Sequence, residues 1–66
     1  MDVEVNGEER QFPEGTTLAR LLEQVGTTQR GVAVALDGSV VIRSEWQRVV
    51  LSDGAKVEIL TAVQGG

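Results

Sequence analysis

The sequence predicts an α+β fold, a mixed sheet of four to five strands with one helix packed across it. Three observations lead there. Val and Ile supply 13 of the 66 residues and gather in short runs, as strands favour. Leu18, Leu21, Leu22 and Val25 fall at i, i+3, i+4 and i+7, the spacing of one helix face. The order is strand, strand, helix, strand, short strand, strand, so one helical face is available to cover one sheet. A right-handed crossover through the helix leaves the first and last strands free to pair in parallel at the sheet centre.

Asp2 to Val5 alternates strictly and reads as a half-buried strand. Asn6-Gly7 is a two-residue hairpin signal, because a type I′ turn needs positive φ at both central positions. The return strand is Glu8 to Phe12, with Val5 opposite Glu8, Val3 opposite Arg10 and Met1 opposite Phe12. Residues directly opposite share a face, so Val3, Val5 and Phe12 point into one core. Pro13-Glu14-Gly15 breaks the strand. Thr16 is the expected N-cap of the helix, and Gly26 its left-handed terminator. After the polar connection 27–31, Val32 to Leu36 is continuously apolar, as in an interior strand covered on both faces or nearly so. Asp37-Gly38 turns into Val40-Val41-Ile42. Arg43 to Trp46 reads as one irregular or 3₁₀ turn, with Trp46 plugging the edge of the core. Gln47 to Leu51 suggests an edge strand. Asp53-Gly54 leads into Lys56 to Thr61, the last, alternating strand. Domain and tail divide at 1–61 and 62–66. The architecture is the β-grasp, or ubiquitin-like, arrangement.

Catalytic groups are scarce. There is no His and no Cys, which excludes disulfides, thiolate chemistry, Cys/His zinc sites and any His-based triad or general base. Asp37 and Asp53 precede glycines and serve turns. Ser39, Ser44 and Ser52 have no base to activate them. Lys56 reads as a solvated edge charge. Glycine-rich phosphate loops are absent. Ten acidic against six basic residues give a net charge of −4, which argues against nucleic acid and for a partner with a basic docking surface. No apolar stretch approaches a membrane span and no N-terminal signal pattern is present, so a cytoplasmic protein is expected.

The end of the sequence is Val63-Gln64-Gly65-Gly66. Two residues without Cβ atoms can thread a narrow channel and bring the backbone close to a ligand. A flexible tail is expected there, delivering an α-carboxylate. A carboxylate is a poor acyl donor. Adenylation by ATP makes AMP the leaving group and opens the carbonyl to a sulfur or amine nucleophile. The small chain then supplies the reacting atom while a larger enzyme supplies the catalysis. Docking must offset the ordering of the tail, about 5–10 kcal/mol for five residues. The sheet face turned away from the helix is the candidate surface, with Leu60 on it beside an alanine or valine of the third strand. A shallow apolar cluster without a partner is the other reading of Leu60.

Several segments together resemble the ThiS family of thiamin-pathway sulfur carriers, across the whole chain. They are Asn6-Gly7, Gly15-Thr16-Thr17-Leu18 into Leu21-Leu22, Val32 to Gly38, Arg43-Ser44-Glu45-Trp46, Asp53-Gly54, Val57-Glu58 and Ala62 to Gly66. The sequence departs at Ile42, where the family pattern leads one to expect proline before the Arg. The resemblance implies that an adenylyltransferase like the ubiquitin-activating enzymes adenylates Gly66. A sulfurtransferase or cysteine desulfurase then supplies sulfur for a thiocarboxylate, and thiazole synthase consumes it. It further implies no bound cofactor, with MgATP belonging to the activating partner, and no catalytic residue in the chain itself. A sulfur carrier for molybdopterin or cysteine synthesis, a protein modifier, and a β-grasp interaction module are the alternatives.

Overall fold

The computed structural model describes residues 1–26 and 31–61. Five strands, β1 (Asp2–Val5), β2 (Glu8–Gln11), β3 (Val32–Leu36), β4 (Ser39–Val41) and β5 (Lys56–Thr61), form one sheet in the order β2-β1-β5-β3-β4. The helix α1 (Leu18–Gln24) and a 3₁₀ turn (Arg43–Glu45) complete the fold. β1 and β5 run parallel at the centre, and the other neighbours are antiparallel.

The first hairpin has the expected register, Val5 with Glu8 and Val3 with Arg10. Asn6 and Gly7 take φ of 50° and 85°, as a type I′ turn demands. Met1 and Phe12 close the open end: the Phe12 N–H donates to the Met1 carbonyl at 3.0 Å, and the Met1 ammonium to the Phe12 carbonyl at 2.8 Å. Val3, Val5 and Phe12 from this hairpin meet Leu18, Leu21 and Leu22 from α1 in one core with Val34, Trp46, Leu51, Ala55 and Val57. Val25 and Ile59 pack against its margin.

Three expectations need correction. Thr17, not Thr16, caps α1: its Oγ1 accepts from the Arg20 N–H at 3.2 Å, with φ −85° and ψ 162°. The Thr16 hydroxyl is committed to the preceding turn, donating to the Pro13 carbonyl at 2.7 Å. Thr17→Ala should therefore cost about 1 kcal/mol in chemical denaturation, the usual loss of a threonine cap. Secondly, β3 is covered on one face: Val34 is buried, but Ala33 is exposed. The single helix lies on one side of the sheet, and the described residues place nothing over the other. Thirdly, Gln47 to Leu51 is no strand: its β pairing is one isolated bridge, Val50 with Thr17. Its backbone serves the helix start instead. The Leu18 N–H donates to the Val49 carbonyl, the Ala19 N–H to that of Trp46, and the Leu51 N–H to that of Thr16, at 2.9, 3.0 and 2.9 Å. Amides left unpaired at a helix N-terminus are thus satisfied by a loop.

Trp46 is buried, and its Nε1–H donates to the Val41 carbonyl at 2.9 Å. Arg43 lies over its ring, 5.6 Å from the centroid. Ile42, where the family pattern expects proline, has φ −69° and ψ 150°, within proline's own range. No hydrogen bond from its N–H occurs among the described residues. Ile42→Pro should accordingly stabilise the fold by about 0.4–1 kcal/mol, read as a raised thermal midpoint, because it restricts the unfolded chain at no cost to the folded one.

Candidate functional site: the end of β5 and the outer sheet face

β5 occupies the sheet centre, so its direction sets where the chain continues. On one side it pairs with β3 from Leu36–Val57 to Val32–Thr61. On the other it meets β1 at Glu4–Lys56 and Val5–Val57 only. Beyond that point the side chain of Asn6 engages β5: Oδ1 accepts from the Ile59 N–H at 2.7 Å, and Nδ2 donates to the Ile59 carbonyl at 3.3 Å. Asp37 fixes the other end of the strand, its Oδ1 accepting from the Lys56 N–H at 2.9 Å and its own N–H donating to the Lys56 carbonyl at 2.8 Å. Asp53 likewise holds its turn to β1, accepting from the Asp2 N–H at 2.6 Å. Both aspartates have the turn roles the sequence indicates.

Alternation along β5 sends Val57 and Ile59 toward the helix and Glu58 and Leu60 outward. Leu60 is 69% exposed. The register puts Ala33 directly opposite Leu60, and Ala35 between Glu58 and Val40. Val40 is 74% exposed, and Ile42, two residues on, 62%. Ala33, Ala35, Val40, Leu60 and Ile42 thus make the β3–β4 half of the outer face apolar. The β1–β2 half is charged, with Glu4 opposite Glu9 and, on its other side, opposite Lys56. Lys56 is not at a sheet edge. It opens the central strand, with Nζ 3.9 Å from Glu4 Oε2.

Val63, Gln64, Gly65 and Gly66, the tail expected at 62–66, lie outside the described residues, which end with β5. Leu60 is where the sequence puts it, on the outer face. Sequence reasoning missed Val40 and Ile42 as its apolar neighbours, and it read Asn6 as a turn residue alone. The first needed the register of β3 against both its neighbours, and the second the relation of residue 6 to a strand more than fifty positions away. Among the described residues no cluster of His, Cys, Asp or Glu is arranged to hold a metal ion, and no helix is long and apolar enough to cross a membrane.

The sequence profile of the ThiS family matches residues 3–66. The sulfur carrier protein ThiS of Thermus thermophilus is 41% identical over 62 residues, 94% of this chain and 95% of that one. A crystal structure of the thiamine biosynthesis protein ThiS from Geobacter metallireducens superposes with a TM-score of 0.85 at 30% identity, covering all of both chains. The thiazole synthase of Paramagnetospirillum magneticum is 38% identical over all 66 residues, which span only 20% of its length. A profile match across nearly the whole chain, a relative of the same length and the shared β-grasp architecture agree: this chain belongs to the ThiS family, the β-grasp sulfur carriers of thiamin biosynthesis, and is a carrier rather than an enzyme.

Proposed function

We propose that the chain carries its sulfur as a thiocarboxylate at Gly66, delivered by the tail 62–66. The observation that carries this reading is the family match extending through residue 66, on a chain whose last described strand is the central one of the sheet. One carboxylate oxygen of Gly66 attacks the α-phosphorus of ATP, and pyrophosphate leaves. The terminal sulfur of a persulfide on the sulfur donor then attacks the acyl carbon and AMP leaves. A second thiol of the donor system attacks the inner sulfur of the resulting acyl disulfide, so that a disulfide forms on the donor side and the thiocarboxylate is released. An adenylyltransferase like the ubiquitin-activating enzymes binds the MgATP, and a sulfurtransferase or cysteine desulfurase provides the sulfur. The carrier itself binds no cofactor. Thiazole synthase is the acceptor, a pairing supported by the named thiazole synthase that contains a segment like this chain within one polypeptide. These partners fit a cytoplasmic protein.

Val63, Gln64, Gly65 and Gly66 enter the partner's channel, and the apolar outer face around Leu60 docks the globular part. Burial there offsets the cost of ordering the tail. ATP–pyrophosphate exchange by the adenylyltransferase tests this directly: exchange should require the carrier. Leu60→Asp should raise the carrier concentration for half-maximal exchange about tenfold or more, as expected of a central apolar contact. Its folding stability should change by no more than about 1 kcal/mol, since the side chain is exposed. Exchange that proceeds without the carrier, or that ignores Leu60→Asp, contradicts the proposed docking.

A further inference from the structure

Asn6 does more than turn the chain. The main-chain bonds along the β1–β5 seam run from the Glu4 N–H to the Ala55 carbonyl and from the Asn6 N–H to the Val57 carbonyl, both 2.9 Å. In a parallel ladder the next rung joins the Ile59 N–H to the carbonyl of residue 6. There the backbone enters the left-handed region, φ 50°, and β1 has ended. The Asn6 carboxamide supplies the rung in its place, accepting from the Ile59 N–H and donating to the Ile59 carbonyl. A carboxamide presents an acceptor and a donor side by side, as a peptide does. Asn also tolerates positive φ, so one residue both makes the turn and extends the ladder past it. Aspartate keeps the turn but turns a second acceptor on the Ile59 carbonyl. Glycine keeps the turn and loses the clamp.

We propose that Asn6 is a positioning residue for the transfer chemistry: by clamping Ile59 it makes the outgoing end of β5, which roots the tail, rigid with the docking face. This rests on the reading of Gly66 as the sulfur-bearing residue. Leu60, in the docking patch, is the next residue after Ile59, and residues 62–66 follow Thr61. Past Val57 the Asn6 side chain is the described contact that holds β5 from the β1 side. Without it, the end of β5 is held through β3 alone. The clamp is exposed to solvent, so water replaces it at little cost in stability, and its loss is felt in where the docked carrier presents its tail.

The test compares wild type, Asn6→Gly and Asn6→Asp in steady-state adenylation, all well below their melting temperatures, with amide hydrogen exchange at Ile59 measured on the free proteins. In Asn6→Gly the Ile59 amide should exchange about tenfold faster. Its kcat for adenylation should fall about tenfold, as misplacement of a reacting group by a fraction of an ångström to an ångström does. Its KM should stay within about twofold, because the docking face is intact. Asn6→Asp, which keeps one of the two bonds, should fall between and serves should Asn6→Gly fold poorly. Unchanged Ile59 exchange in both variants, or faster exchange with unchanged kcat, overturns the proposal. Absence of adenylation in the wild type overturns the Gly66 reading itself, so the two failures are told apart by whether the wild type reacts.

Discussion

Deletion of Gly66 should abolish adenylation and leave the fold untouched. One residue of extended chain spans about 3.3–3.6 Å. Reacting atoms must be held within about 0.5 Å of the productive geometry. A carboxylate moved back by one residue therefore misses the α-phosphorus by several times the tolerance. Adding one residue after Gly66 overshoots by the same distance and should be equally inactive. Gly65→Val should still dock but react slowly, since a β-branched side chain narrows the accessible backbone conformations and widens the tail at its narrowest point. Among the described residues the core extends no later than Val57 and Ile59, and all three variants should melt within about a degree or two of wild type, as surface changes do. Pyrophosphate exchange and thermal denaturation read the two effects separately. An active deletion variant would place the reacting carboxylate elsewhere.

The second large effect belongs to the core. Leu22 is fully buried, on the face of α1 that belongs to the core. Leu22→Ala should cost about 2–5 kcal/mol, lost burial plus the cavity left behind. A domain of this size has only about 3–10 kcal/mol to lose. The thermal midpoint should fall by about 10 °C or more, and part of the population should be unfolded at physiological temperature. Leu60→Ala, at an exposed leucine, is the control and should move stability by less than about 0.5 kcal/mol. Equal effects at the two leucines would contradict the assignment of the helix face.

Local rules carried most of the fold. Asn6-Gly7 and Asp37-Gly38 announce their turns because few residues tolerate positive φ, and both pairs take it. The spacing of Leu18, Leu21 and Leu22 announces the buried face for the same kind of reason: period and burial are linked one to one. Where tertiary partners decide, local rules fell short. Gln47 to Leu51 has strand-like residues, but the helix N-terminus claims the Val49 carbonyl and Thr16 the Leu51 amide, and no local pattern encodes that. Thr16 and Thr17 are equal as caps by residue type, and the choice falls to the Pro13 carbonyl, which takes the first hydroxyl. An apolar run such as Val32 to Leu36 looks the same whether one face is covered or two, and the exposed Ala33 became part of the candidate docking face instead. At the site, Leu60 was legible from alternation along one strand. Its companions Val40 and Ile42 were not, because they join it through the register of three strands. The Asn6 clamp on Ile59 was hidden for the same reason.

Intact-protein mass spectrometry of the wild-type chain tests the sulfur-carrier chemistry most directly. The chain is incubated with its adenylyltransferase, MgATP and a sulfur donor. If Gly66 bears the sulfur, the mass rises by the difference between sulfur and oxygen, and fragmentation places the gain on the last residue. An unchanged mass under every donor condition, with the same adenylyltransferase active on another carrier, would contradict it.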